Sequence, residues 1–237
     1  METKEIVLPK HRFLINADIC PDFAPQMIDP YYWINQKKIF SSSRGRGTAY
    51  FIDAGENRKW VLRHYLRGGL IAKFMKDGYF YPGRNRCRPY LEFRLLADLH
   101  EKGLPVPEPV VAHVNLSFYP VAHYDIIMKY IENSRDLVSI LKERALTEGE
   151  LEGIGEVLAK LNEHNVYHQD LNIHNIMLDD RGKFWVIDFD KGEIAPGHFG
   201  EMCDRLHRSF TKEKSIHGKE FNWEDGSFEK ILKSSGK

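Results

Sequence analysis

The stretch Val166–Asp190, VYHQDLNIHNIMLDDRGKFWVIDFD, decides how the rest of the chain is read. Two short apolar runs, Ile176-Met177-Leu178 and Phe184-Trp185-Val186-Ile187, flank Asp179-Asp180-Arg181-Gly182. Apolar runs on either side of an Asp/Gly turn predict a β-hairpin. The polar residues lie just before the first strand and just after the second, and a hairpin brings those ends together. His168, Asp170 and Asn175 are therefore expected to face Asp188 across a small gap. Any one of these acids alone reads as a solvated surface group; the ordered set around two strands reads as a site.

The order His168-x-Asp170-Leu171-x-x-x-Asn175, followed by Asp188-Phe189-Asp190, resembles the catalytic and metal-binding segments of the protein-kinase-like fold, H-R-D-L-x-x-x-N and D-F-G. Phosphoryl transfer asks for positioning and charge neutralisation more than for covalent chemistry. The resemblance implies that Asp170 orients an acceptor hydroxyl and takes its proton. It implies that Asn175 and Asp188 hold Mg²⁺ through hard oxygen ligands, and that His168 supports the loop. Asp190 stands where protein kinases have Gly, and an Asp-Phe-Asp ending is similar to the small-molecule and sugar kinases of that superfamily.

The 237 residues can bury a real core, and a composition 42% hydrophobic and 29% charged is that of a globular chain. With 34 basic and 34 acidic residues the formal net charge is zero, which disfavours a general nucleic-acid binder. Cys20, Cys87 and Cys203 are dispersed and odd in number, as suits a reducing compartment rather than a disulfide frame or zinc cluster. The start, METKEIVLPKHRF, lacks the apolar core of a signal peptide, and no apolar run reaches membrane-spanning length. A soluble or peripheral protein, with no obligate protein partner evident, is expected.

Ahead of the catalytic stretch, Ser41-Ser42-Ser43-Arg44-Gly45-Arg46-Gly47-Thr48-Ala49 resembles a glycine-rich strand–turn–strand over nucleotide phosphates, in which Gly45 and Gly47 let backbone amides approach an anion. In the following run, Trp60–Tyr65, period-two alternation puts Val61, Arg63 and Tyr65 on one face. Arg63 occupies the slot where the kinase-like pattern has Lys, and Arg binds phosphate in fork geometry. Lys73, in Ile71-Ala72-Lys73, is the other candidate; Arg63 is preferred by its distance from the glycine turn, and the choice between them stays open.

Pro89–Lys102 reads as a helix stopped by Gly103, with Leu91, Leu95, Leu96 and Leu99 at helical spacing and Glu92 in its first turn. The fold resemblance implies that Glu92 pairs with the phosphate-binding cation. Ile126–Ile131 is similar to the strand that enters an inter-lobe hinge, where backbone groups of Lys129, Tyr130 and Ile131 face adenine. Arg84, Arg86 and Arg88 lie in a segment rich in basic residues and are the expected contacts for an anionic acceptor, or else a solvated face. Later, Ser134 is expected to cap a short helix, Thr147-x-x-Glu150 is a capping box, and Phe199–Phe210 and Phe228–Leu232 read as helices.

The expected fold is α+β, two-lobed and protein-kinase-like: a β-rich N-lobe over about 1–130, a hinge at about 129–132, and a minimal helical C-lobe over about 133–237. Four segments together resemble the lipopolysaccharide core sugar kinase family. They are Leu62-Arg63-His64-Tyr65-x-Arg67-Gly68-Gly69-Leu70, Glu92-Phe93-Arg94-Leu95-Leu96, Gly103-Leu104-Pro105-Val106-Pro107 and His168-x-Asp170-Leu171-Asn172-x-His174-Asn175. The resemblance implies transfer of phosphate from ATP to the 4-hydroxyl of 3-deoxy-D-manno-octulosonic acid (Kdo) on Kdo-lipid A. It also implies a peripheral location on the anionic cytoplasmic face of a bacterial inner membrane. A small atypical protein kinase, or a nucleotide-binding pseudokinase favoured by Arg63 in the Lys slot, are the alternatives.

Overall fold

The computed structural model describes residues 1–44, 48–66, 78–224 and 226–236. Gly45, Gly47 and Lys73 lie outside these described residues. The chain forms two compact units, Met1–Ala97 with Glu108–Tyr130 and Asp98–Pro107 with Ile131–Lys237.

The first unit is built on one antiparallel sheet. Its strands are β1 (Thr3–Val7), β2 (His11–Asn16), β3 (Ile39–Arg44), β4 (Thr48–Gly55), β5 (Arg58–His64), β6 (Tyr79–Phe80), β7 (Pro109–Phe118) and β8 (Val121–Lys129). The order is β1-β2-β7-β8-β5-β4-β3, with β6 beside the start of β8. Between β2 and β3, helix α1 (Pro30–Asn35) begins where the Asp29 carboxylate accepts from the Tyr31 N–H at 2.9 Å, with proline at the first helical position. Trp33 of α1 meets Trp60 edge-on at 6.0 Å, over a core of Phe13, Ile15, Ile52, Leu62 and Ile127. Because side chains alternate along β5, burying Trp60 and Leu62 there sends Arg63 to the opposite face, where helix α2 (Arg88–Glu101) supplies Glu92.

In the second unit β9 (Arg135–Asp136) and α3 (Leu137–Glu143) come first, then α4 (Glu148–Glu163) and β10 (Val166–His168). The hairpin β11 (Ile176–Leu178) and β12 (Phe184–Val186) follows, then β13 (Gly192–Ile194), α5 (Phe199–His217) and α6 (Ser227–Ser234). The hairpin forms where the apolar runs predict it, with Ile176 opposite Val186, and β10 pairs with β13. Thr147 and Glu150 close a capping box on α4. Gly155 of α4 lets α6 come close: a Cβ there would lie 2.5 Å from the Ile231 carbonyl oxygen.

Two expectations are corrected. The cap of α3 is Asp136, which accepts from the Ser139 N–H at 3.1 Å, while Ser134 instead donates its hydroxyl to the Ile131 carbonyl at 2.7 Å. The helix beginning at Phe199 does not stop at Phe210 but continues to His217, and that extra length carries Glu213 toward the catalytic loop.

Candidate active site

In the first unit the site begins with Arg63. Its Nη2 lies 2.7 Å from both carboxylate oxygens of Glu92, which is 1% exposed. Tyr65, two residues further along the same face, donates its hydroxyl to the same carboxylate, and the guanidinium of Arg63 lies over its ring at 5.0 Å. Removing one member of a buried ion pair costs about 3–5 kcal/mol because the other is left without its countercharge. A cation fixed in this way keeps its charge and its direction, which is what a phosphate contact requires.

The three arginines proposed for the acceptor do not converge. Arg84 bonds Glu5 of β1 at 3.0 Å, whereas Arg88 lies over the rings of Tyr79 and Tyr65 at 5.0 and 5.8 Å, and Arg86 is exposed. The segment ending the first unit is also more committed than expected. The Lys129 N–H donates to the Glu108 carbonyl and the Tyr130 N–H to the Lys59 carbonyl, both at 2.8 Å. Among the described residues the Ile131 N–H makes no hydrogen bond, so of the three it is the donor left for a ligand.

The second unit holds the loop with hydrogen bonds rather than ion pairs. His168 is 1% exposed, and its Nε2 lies 3.0 Å from the Ile187 carbonyl while its Nδ1 accepts from the Asp170 N–H at 3.3 Å. Burial pushes its imidazole below the ordinary histidine value. A neutral ring serves both bonds at once, with Nε2 donating and Nδ1 accepting. His168 thus staples the backbone of Asp170 to the residue before Asp188. The Ile187 N–H in turn donates to the Asn175 carbonyl at 2.9 Å, so all four residues are fixed on one frame.

Asn172 and Asn175 both donate their side-chain N–H groups to the Asp170 carbonyl, at 2.8 and 3.0 Å. With its amide nitrogen committed, Asn175 has its Oδ1 as the atom for a cation. Asp188 sits at φ 66°, in the left-handed region that Asp and Asn enter more readily than other side chains. Phe189 beyond it is fully buried against His168, with ring centroids 4.7 Å apart. Among the described residues no three His, Cys, Asp or Glu side chains are grouped to hold a metal by themselves. An amide oxygen and one carboxylate nonetheless fit Mg²⁺, which keeps waters and takes further oxygens from substrate phosphates.

Sequence reasoning did not find the supports from α5. Ser209 Oγ accepts from the Ile173 N–H at 2.9 Å and donates to the Leu206 carbonyl at 2.6 Å. Glu213, buried at 7% exposure, meets His174 Nε2 at 3.1 Å and His217 Nε2 at 3.2 Å. The available signal was periodicity: Glu213 continues the apolar face of Met202, Leu206 and Phe210, where a carboxylate needs a partner.

This fold and site define a kinase-like phosphotransferase acting on a hydroxyl group. The family model described as "Lipopolysaccharide kinase (Kdo/WaaP) family" matches residues 31–225, and the chain belongs to that family. It is 38% identical over 225 residues to a 3-deoxy-D-manno-octulosonic acid kinase of Mannheimia succiniciproducens, covering 91% of this chain and 94% of the relative. A protein of the same name from Vibrio parahaemolyticus is 40% identical, covering 86% of this chain and 87% of its own length. Among solved structures, WaaP in complex with acyl carrier protein superposes with a TM-score of 0.56 at 12% identity, over 88% of this chain and 86% of that one, a likeness of fold.

Proposed function

We propose that this chain is a Kdo kinase, which transfers the γ-phosphate of ATP to the 4-hydroxyl of Kdo on Kdo-lipid A, at the cytoplasmic face of the inner membrane. The acceptor is supported by the similarity to proteins of that name over nearly their whole lengths. The observation that carries the chemistry is the His168 staple, which holds Asp170 and the residue before Asp188 on one frame. No helix among the described residues is long and apolar enough to cross a membrane, and association with the bilayer is read as peripheral.

Asp170 aligns the acceptor hydroxyl and receives its proton as the acceptor oxygen–phosphorus bond forms. The bond from the γ-phosphorus to its bridging oxygen breaks, and ADP leaves. Asn175 Oδ1 and the Asp188 carboxylate would hold Mg²⁺, whose contribution is to neutralise charge on the phosphates. Arg63, fixed by Glu92, binds the nucleotide phosphates, and the Ile131 N–H offers a donor to adenine. Arg84, Arg86 and Arg88 remain candidates for acceptor contacts, to be tested one at a time because they have different neighbours.

Transfer of radiolabelled phosphate from ATP to Kdo-lipid A, with casein and acceptor-free reactions in parallel, tests the reading. Label on the glycolipid alone is expected. Label on casein instead would indicate a protein kinase, and nucleotide binding with no label anywhere would indicate a pseudokinase.

A further inference from the structure

Burial alternates along the catalytic loop. Leu171, Ile173 and Asn175 are buried, whereas Asp170, Asn172 and His174 reach the surface. The base thus shares the accessible side of its loop with two further polar side chains. Asn172 is spent on the loop itself: its amide N–H donates to the Asp170 carbonyl at 2.8 Å, and its Oδ1 accepts from the His174 N–H at 2.9 Å. Its part is to set the spacing between Asp170 and His174.

His174 is placed differently. Its side chain is 55% exposed, yet it is tied to a buried carboxylate, with Nε2 3.1 Å from Glu213 Oε1. The other oxygen of Glu213 meets His217 Nε2 at 3.2 Å, one turn further along α5. A carboxylate only accepts, so the proton of the neutral His174 ring sits on Nε2 and its Nδ1 carries a lone pair. Among the described residues that Nδ1 makes no hydrogen bond. The accessible side of the loop therefore offers two acceptors at a set spacing, the Asp170 carboxylate and His174 Nδ1. Two acceptors are matched by two hydroxyls.

We infer that His174 Nδ1 accepts a hydrogen bond from the hydroxyl next to the one that is phosphorylated, and so sets which hydroxyl meets Asp170. The inference rests on the Kdo-lipid A reading, which makes that neighbour the 5-hydroxyl, since a 3-deoxy sugar has none at carbon 3. His174 is then a specificity-determining contact, and Glu213 a positioning residue that fixes its tautomer and its direction. Because His174 is half exposed, water replaces a missing hydroxyl. The loss is then that of one hydrogen bond, about tenfold, and not the far larger factor of a buried group left unpaired.

The test is a cycle of two enzymes and two acceptors. Wild type and His174→Ala are each given Kdo-lipid A and its counterpart carrying 5-deoxy-Kdo, and kcat/KM for the acceptor is measured. Either change alone is expected to cost about tenfold, and both together no more than one. A merely structural role for His174 gives the variant the same loss on both acceptors, which overturns the proposal. So does wild type that uses both acceptors equally well, a comparison that needs no variant to fold, and so does His174→Ala with full activity on Kdo-lipid A. Glu213→Leu should also lose the preference for the 5-hydroxyl, whereas Glu213→Gln, whose carbonyl still accepts from Nε2, should keep most of it. Full preference in Glu213→Leu would overturn the positioning role. Normal transfer to Kdo-lipid A without this coupling leaves the functional reading standing, whereas no transfer by wild type defeats that reading and this inference with it.

Discussion

The two units anchor their functional groups by different means. In the first, Arg63 is held by a buried carboxylate brought from another element, 29 residues away in the chain. In the second, the backbone of Asp170 is held by the side chains of His168, Asn172 and Asn175, and the Asn175 carbonyl accepts from the Ile187 N–H just beyond β12. The ion-pair anchor fixes a charge, and it fails abruptly when one partner is lost. The backbone anchor fixes a geometry, and no single side chain carries all of it. The first unit's site is therefore expected to break through stability, and the second's through rate.

Asp170→Ala gives the sharpest form of that contrast. Single-turnover transfer should fall by about 10²–10⁴-fold, while nucleotide affinity stays near wild type, because the Asp170 backbone keeps its bonds. Normal turnover would refute the base assignment. Glu92→Ala should do the opposite. The loss of about 3–5 kcal/mol, read as a lower denaturation midpoint, should come with weaker nucleotide binding. Unchanged stability would show that Arg63 finds another partner at no cost.

A smaller effect is expected at the α5 support. Glu213→Leu should lower kcat by about ten- to a hundredfold with the KM for ATP unchanged, because it loosens His174 next to Asn175, and Glu213→Gln should recover most of the rate. Equal losses in both variants would mean that the charge, not the bond, matters. The smallest effect is in pH. Burial lowers the His168 pKa below the unfolded value of 6.5, so the unfolded chain binds the proton more readily. The stability from neutral His168 is complete above about pH 6.5 and is lost as pH falls toward the folded value. Urea midpoints of wild type should drop on acidification more steeply than those of His168→Asn; parallel profiles would remove His168 as the source.

What the sequence disclosed follows the same division. The hairpin and the set His168, Asp170, Asn175 and Asp188 were legible because their relations are local: strand alternation, turn residues and spacing fix them within one short segment. Arg63 with Glu92 was legible only through the family resemblance, although alternation correctly assigned the face. Glu213 and Ser209 were not read at all, since a polar residue on an apolar helix face announces a need and not its partner. Tyr65 was placed on the correct face, but nothing in its neighbours foretold that its hydroxyl would share Glu92. The cap of α3 was misplaced because Ser134 and Asp136 are equally suitable residue types, and only the backbone path decides which one precedes the first turn.

The commitment of the Lys129 and Tyr130 amides has a pharmacological consequence. On the proposed reading, in which residues 129–131 face adenine, compounds that accept two N–H groups from this segment would find one, at Ile131, because the other two are spent on Glu108 and Lys59. Scaffolds with a single acceptor, placed to meet the Ile131 N–H, are the sounder starting point for selective inhibition of this chain.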